Sequence, residues 1–154
     1  MPHSRFFHER LTMGSDFGTV IDKLTAAKLT VQEQPANPFL KKDAATFTVF
    51  YLDTLFGKQV GVSLHFSKED SVLSEIAVIF LGVDPKTGKV QADLDQSIDV
   101  LWDSLSTHWG PPSKDKSVPF VAKVREWLFS SAEIQMLRLR TGTSTLAVTY
   151  RGRK

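Results

Sequence analysis

Apolar residues first recur at helical spacing just after a Ser-Asp pair near the start of the chain. The stripe consists of Phe17, Val20, Ile21 and Leu24. Ser15 suits the position that caps a helix, and Asp16 suits the positive end of the helix dipole. The pattern therefore predicts an amphipathic helix that begins near Ser15 and ends near Lys28.

A second and longer stripe of helical spacing lies in the middle of the chain. Its members are Leu94, Ile98, Leu101, Leu105 and Trp109. Asp93 or Asp95 is the expected cap at its start. Gly110 follows the last apolar position, where glycine can adopt a left-handed conformation, and Pro111 and Pro112 forbid any continuation of the helix.

Elsewhere apolar and polar residues alternate with period two, which is typical of strands with one buried face. The predicted strands span residues 45–56, 60–66, 73–81, 124–129, 133–140 and 144–151, and residues 113–123 are predicted as a polar loop. The segment 73–81 is apolar on both sides. Two helices cover only one face of such a sheet, so strong curvature, a dimer mate or a partner must cover the other face.

These elements predict one α+β domain over residues 1–154, with two helices on one face of a largely antiparallel sheet of about six strands. A helix followed by three strands occurs twice in this order. The short stretches Ile21-Asp22-Lys23-Leu24 and Ile98-Asp99-Val100-Leu101 also resemble each other. Both observations suggest an αβββ duplication with pseudo-repeats at 15–82 and 93–151.

Composition narrows the classes of function. The 154 residues are 42% hydrophobic, carry a net charge of +2 and include no cysteine. The chain is long enough to bury a hydrophobic core without a stabilising disulfide or metal. Because it has no cysteine, thiolate catalysis, cysteine zinc sites and disulfides are excluded. A nucleic-acid partner is not expected at so small a net charge. No apolar run reaches the length of a membrane span.

Candidate chemical groups are scattered along the chain. His3 and His8 fall in a predicted mobile or edge segment, His65 points away from the buried strand face, and His108 occupies the last turn of the second helix. They do not share the spacing of a metal site. Helix capping and the helix dipole explain the acidic residues at the start of the second helix. These are Asp93, Asp95, Asp99 and Asp103. The sequence therefore predicts no catalytic residue, no cofactor and no metal.

The clearest functional signal lies in the faces of two predicted strands. If Val124 and Leu128 face the helices, and Leu137 and Leu139 do likewise, the alternate residues form an open face with the composition of an interface hot spot. That candidate partner-binding face consists of Arg125, Trp127, Phe129, Met136, Arg138 and Arg140. A slip of one residue inverts the assignment and places Trp127 and Phe129 in the core.

Three features together resemble a known family. The helix ends in Trp109-Gly110-Pro111-Pro112, a later strand carries Trp127, and the final strand alternates Leu146, Val148 and Tyr150. This pattern is similar to small exported α/β domains of the beta-lactamase inhibitory protein type, and the SmpA/OmlA outer-membrane lipoproteins share part of it. The likeness covers residues 15–151 in element order. The chain lacks the disulfides of the first family and the acylated cysteine of the second.

The resemblance implies a helix-backed antiparallel sheet whose open face grips another protein, without catalysis, in the periplasm or outside the cell. We therefore expect a protein-binding or inhibitory module whose partner is another protein or a second copy. Two alternatives stay open. One is a ligand carrier or small enzyme with an apolar pocket lined by Phe47, Phe50 and Phe66, and the other is a dimer resembling secretion chaperones.

Overall fold

A computed structural model gives the architecture of residues 6–32, 46–80, 82, 89, 93–130, 132–140 and 144–152. It has an α+β fold with two helices on one face of an antiparallel sheet, as predicted. A short 3-10 turn, His8–Arg10, precedes the helices α1 (Phe17–Ala26) and α2 (Leu94–Trp109). The strands are β1 (Thr46–Leu55), β2 (Lys58–Ser67), β3 (Leu73–Phe80), β4 (Lys114–Val118), β5 (Ala122–Leu128), β6 (Ala132–Leu139) and β7 (Thr145–Gly152).

The strands form one sheet in the order β1-β2-β3-β7-β6-β5-β4, with every neighbouring pair antiparallel. Strands β3 and β7, the last strands of the two predicted repeats, pair in the middle. The duplication itself stays a prediction. Asp16 caps α1 by accepting a hydrogen bond from the amide of Thr19 at 2.7 Å, and this bond holds the pKa of Asp16 below its usual value.

The core lies between the helices and one face of the sheet. Strand register aligns one buried row across this face: Tyr51, Val62, Val78, Val148 and Met136. Val20 and Leu24 of α1, together with Ile98 and Leu101 of α2, belong to the same buried cluster. The apolar stripes read from the sequence are therefore the surfaces that the helices bury on the sheet.

The opposite face of β3 is also buried. Ile76 and Val78 point toward the helices, whereas Ala77 and Ile79 point away from them, and all four are buried. The prediction of a strand apolar on both faces is therefore confirmed. The predicted pocket of three phenylalanines is wrong. Phe47 and Phe66 stack on the helix side with ring centroids 5.3 Å apart, and strand alternation turns Phe50 to the other face.

Over the part of the chain that the structure describes, the sheet has seven strands rather than about six, because part of the predicted loop at 113–123 forms β4. All five residues of β4 are exposed at the edge of the sheet, so its sequence lacks the alternation that burial produces. Pairing with β5 holds it in place, and the guanidinium of Arg125 lies 3.2 Å from the carboxylate of Asp115. Lysine residues such as Lys116 on an exposed edge strand also discourage unwanted strand pairing.

Candidate functional site

Four residues of the predicted binding face lie on one face of β5 and β6, with Phe129 and Arg140 just beyond the ends of these strands, but that face is the one the helices cover. Trp127 is only 1% exposed, and Met136 and Arg138 are buried with it. Phe129 is partly buried against the core, and Arg140 is exposed. The open-face prediction is wrong because the inward and outward faces of both strands are exchanged relative to the prediction, so Leu137 and Leu139 point away from the helices.

Arg125 and Trp127 attach β5 to the second helix. The Trp127 ring lies 4.9 Å from the Trp109 ring, and its Nε1 donates a hydrogen bond to the carbonyl of Gly110 at 2.9 Å. The guanidinium of Arg125 lies 5.1 Å from the centre of the Trp102 ring and donates to the Ser106 hydroxyl at 2.9 Å. These contacts support a packing role for both residues.

Arg138 is a buried cation beneath the start of α2. It donates a hydrogen bond to Asp99 and lies 3.9 Å from Asp95. Both carboxylates are largely exposed. Capping and the helix dipole were the predicted reasons for these acidic residues, and the structure adds that they neutralise a cation that the core side of the sheet would otherwise leave unpaired.

A buried polar cluster that sequence reasoning missed lies beneath the other end of α2. The Glu9 cluster consists of His8, Glu9, His108, Trp109 and Tyr150. The side chain of Glu9 is fully buried and accepts hydrogen bonds from His108 Nε2 at 2.7 Å, Trp109 Nε1 at 2.8 Å and the Tyr150 hydroxyl at 3.0 Å. One carboxylate therefore ties the N-terminal segment to α2 and β7.

The hydrogen bonds of Tyr150 assign the proton of His8. Tyr150 donates its one proton to Glu9, so His8 Nε2 must donate to the tyrosine oxygen across 2.9 Å. Burial lowers the pKa of His8 to about 4 although the charge of Glu9 opposes this shift, and burial also raises the pKa of Tyr150 well above its usual value. His8 is a neutral core residue, and its predicted place in a mobile or edge segment is wrong.

A small open cavity lies beside the Glu9 cluster. Its volume is about 360 Å³, and it is lined by Phe56, Asp103, Ser104, Thr107 and His108. The side chain of His108 is 23% exposed and connects this cavity to the buried Glu9. Phe56 and Gly57 form the two-residue turn between β1 and β2 with φ values of 50° and 77°, so both occupy the left-handed region that type I′ turns require.

The hairpin tip, Val118-Pro119-Phe120-Val121, joins β4 to β5 and is an exposed apolar feature. Phe120 is 91% exposed, and Val118 and Val121 are 58% and 40% exposed. The amide of Val121 donates to the carbonyl of Val118 at 3.0 Å, which closes a four-residue turn. Phe120 has φ 65° at its third position, where a type II turn requires a positive φ and favours glycine.

Exposed cations flank the hairpin tip. Lys116 precedes it on β4 and Lys123 follows it on β5, while the amide of Arg140 donates to the carbonyl of Val121 at 2.9 Å. The sequence signal for this site was an apolar Val-Pro-Phe-Val segment inside a polar stretch. The Glu9 cluster had no comparable signal, because its members are separated by up to 142 positions.

Within the described residues, no group of three or more histidine, cysteine or acidic side chains is arranged to hold a metal ion. Over the same part of the chain, no helix is both long enough and apolar enough to cross a membrane.

Comparison with known proteins identifies no family. No family model matches the chain, and no curated protein matches it. Among solved structures, the chain is similar to the crystal structure of a DUF4309 family protein, YjgB, from Bacillus subtilis subsp. subtilis strain 168. The identity is 19% and the TM-score 0.42, with 90% of this chain and 79% of that chain covered.

Proposed function

We propose that this protein is a protein-binding module and that the hairpin tip is its contact element. The observation that carries the proposal is the position of Phe120, whose ring is 91% exposed at the end of a projecting hairpin. Aromatic residues that become fully desolvated on binding dominate the energy of many interfaces. The proposal moves the predicted interface from the sheet face to the tip, since the helices cover that face.

Backbone conformation supports a binding role for Phe120. A bulky side chain in the left-handed region costs free energy, of order 1–3 kcal/mol, relative to glycine. Its φ is 65°, and the exposed ring gains little from packing within this chain. A residue that is locally unfavourable for folding is best explained by a contact outside the chain.

The residues around the hairpin tip indicate the polarity and charge of the partner's surface. An exposed apolar tip flanked by Lys116, Lys123 and Arg140 fits a protein with an apolar pocket and an acidic rim. A second copy fits less well at the adjacent edge. Antiparallel pairing of two β4 strands about their central residue places Lys116 opposite its own copy, and like charges in that position are destabilising.

Phe120→Gly tests the proposal because it removes the ring and also relieves the backbone. We expect urea unfolding to show stability unchanged or raised by up to about 1 kcal/mol. Proteins retained from an extract of the source cell by immobilised wild type are identified and purified, and their affinities are measured by calorimetry. A true partner loses at least tenfold in affinity for Phe120→Gly. Leu128→Ser is the matched control, since Leu128 is exposed on the same hairpin away from the tip.

Equal affinity of wild type and Phe120→Gly for every retained protein contradicts the proposal, as does the absence of any specifically retained protein. Vesicles of phosphatidylglycerol and of phosphatidylcholine are tested in parallel. Binding of wild type but not Phe120→Gly to the anionic vesicles alone would identify a membrane surface as the partner and overturn the protein-binding assignment. A loss of more than about 1 kcal/mol of stability in Phe120→Gly would instead make Phe120 a structural residue.

A further inference from the structure

The hydrogen bond between His108 and Glu9 assigns the two ring nitrogens of His108. A carboxylate only accepts hydrogen bonds, so Nε2 carries the proton that lies between it and Glu9 Oε1 across 2.7 Å. In the neutral ring, Nδ1 then carries a lone pair, and it has no hydrogen-bond partner among the described residues. A histidine oriented by a buried carboxylate is an arrangement that enzymes use for general-base catalysis.

The surroundings of His108 have room and groups for a small substrate. The open cavity has a volume of about 360 Å³, which is room for a small ester on the surface beside His108. The Phe56 ring supplies an apolar wall, and Phe56 has φ 50°, a costly conformation for a bulky residue. Ser104 lies one helical turn before His108, whereas the Thr107 hydroxyl already donates to the carbonyl of Asp103 at 2.9 Å.

We propose that this cavity is a second site, in which His108 acts as a general base in the hydrolysis of small carboxylic esters. Nδ1 takes a proton from a water molecule, and the water oxygen forms a bond to the ester carbonyl carbon. The bond from that carbon to the alcohol oxygen then breaks, and the departing oxygen takes the proton back from Nδ1. Ester and water become carboxylic acid and alcohol, and no other reactant is needed.

His108 is the catalytic residue of this step and Glu9 is a positioning residue. Glu9 holds the ring in one tautomer and stabilises the imidazolium that forms during the reaction. Because the Thr107 hydroxyl already donates to a backbone carbonyl, the Ser104 hydroxyl is the cavity donor assigned to the substrate carbonyl oxygen. No part of this step involves the hairpin tip, so a negative result for ester hydrolysis leaves the proposal of protein binding unaffected.

The test measures hydrolysis of p-nitrophenyl acetate through the absorbance of released p-nitrophenolate, with free imidazole at equal concentration as the baseline. We expect wild type to exceed imidazole at least tenfold and His108→Gln to lower kcat at least tenfold. Glu9→Gln, with kcat calculated for the folded fraction, should lower kcat at least threefold with KM unchanged, because the ring loses its orienting carboxylate while the cavity wall stays the same. His65→Gln, which alters a half-buried histidine on β2, serves as the control and should retain the wild-type rate.

A wild-type rate no greater than that of imidazole overturns the proposal, and so does a wild-type kcat in folded His108→Gln. Near-ultraviolet circular dichroism establishes folding for each variant. If His108→Gln does not fold, Ser104→Ala decides the question, since it removes only a hydroxyl from the cavity wall. We expect that variant to lose at least threefold in kcat/KM, and an unchanged value overturns the proposal.

Discussion

Removing the buried carboxylate of Glu9 is expected to cost more stability than any surface substitution in the chain. In Glu9→Ala, the indole N–H of Trp109 and the hydroxyl of Tyr150 lose an acceptor while both rings stay buried. His108 loses its partner as well. The N-terminal segment is then attached to the fold mainly by its apolar contacts.

The magnitude follows from the groups left unpaired. Each buried donor without an acceptor costs about 1–3 kcal/mol, and Trp109 and Tyr150 supply two such donors. Hydrogen bonds to a charged group such as this carboxylate contribute about 1.5–3 kcal/mol each, more than bonds between neutral groups. We therefore expect Glu9→Ala to lower the free energy of unfolding by about 3–5 kcal/mol, a large part of the roughly 5–15 kcal/mol available to a domain.

Equilibrium unfolding in urea measures this loss. Far-ultraviolet circular dichroism is the probe, because Trp109 is part of the perturbed site and makes fluorescence ambiguous. Glu69→Ala is the control, since Glu69 is exposed in the turn between β2 and β3 and should change stability by less than about 0.5 kcal/mol. A loss below about 1 kcal/mol in Glu9→Ala would refute the reasoning, because the donors must then find other partners at little cost.

Two further predictions concern pH and backbone conformation. Burial lowers the pKa of His8 from 6.5 to about 4, so the unfolded chain takes up this proton first, and stability should fall as the pH drops from 6.5 toward 4. Over this window, the free energy of unfolding of wild type should fall by about 3 kcal/mol relative to His8→Gln, as measured by urea unfolding at each pH. Parallel pH profiles for the two proteins would contradict the assignment of a buried neutral His8. Gly110 ends α2 at φ 83° and ψ −157°, in a region that essentially only glycine adopts, and an added Cβ meets no atom within 4 Å. Gly110→Ala should therefore lower the thermal midpoint through backbone strain of about 1–3 kcal/mol, and an unchanged midpoint would show that the backbone relaxes freely.

The periodic elements could be predicted because burial on one side leaves a direct record in the sequence. Both helices and six of the seven strands seen in the described residues follow from spacing, and the end of α2 follows from Gly110 and the two prolines after it. The edge strand β4 could not be found in this way. Its five residues are all exposed, so no alternation marks them, and only pairing with β5 makes them a strand.

In β5 and β6, the local sequence pattern did not determine which face of each strand is buried. Leu137 and Arg138 are equally possible inward residues by period two alone, and hydrophobicity favoured the leucine. The structure places Arg138 inward because Asp95 and Asp99 on α2 neutralise it. That compensation depends on where α2 crosses the sheet, which no window of the sequence contains.

The sequence by itself determined the fold class, because the hydrophobic effect acts on patterns that span a few residues. It also contained the exposed Val-Pro-Phe-Val segment, although only the hairpin showed that this segment projects into solvent. Tertiary structure alone decided the Glu9 cluster. Its carboxylate, imidazole and hydroxyl groups meet across 142 positions of sequence, and their chemistry arises only once folding removes water from around them.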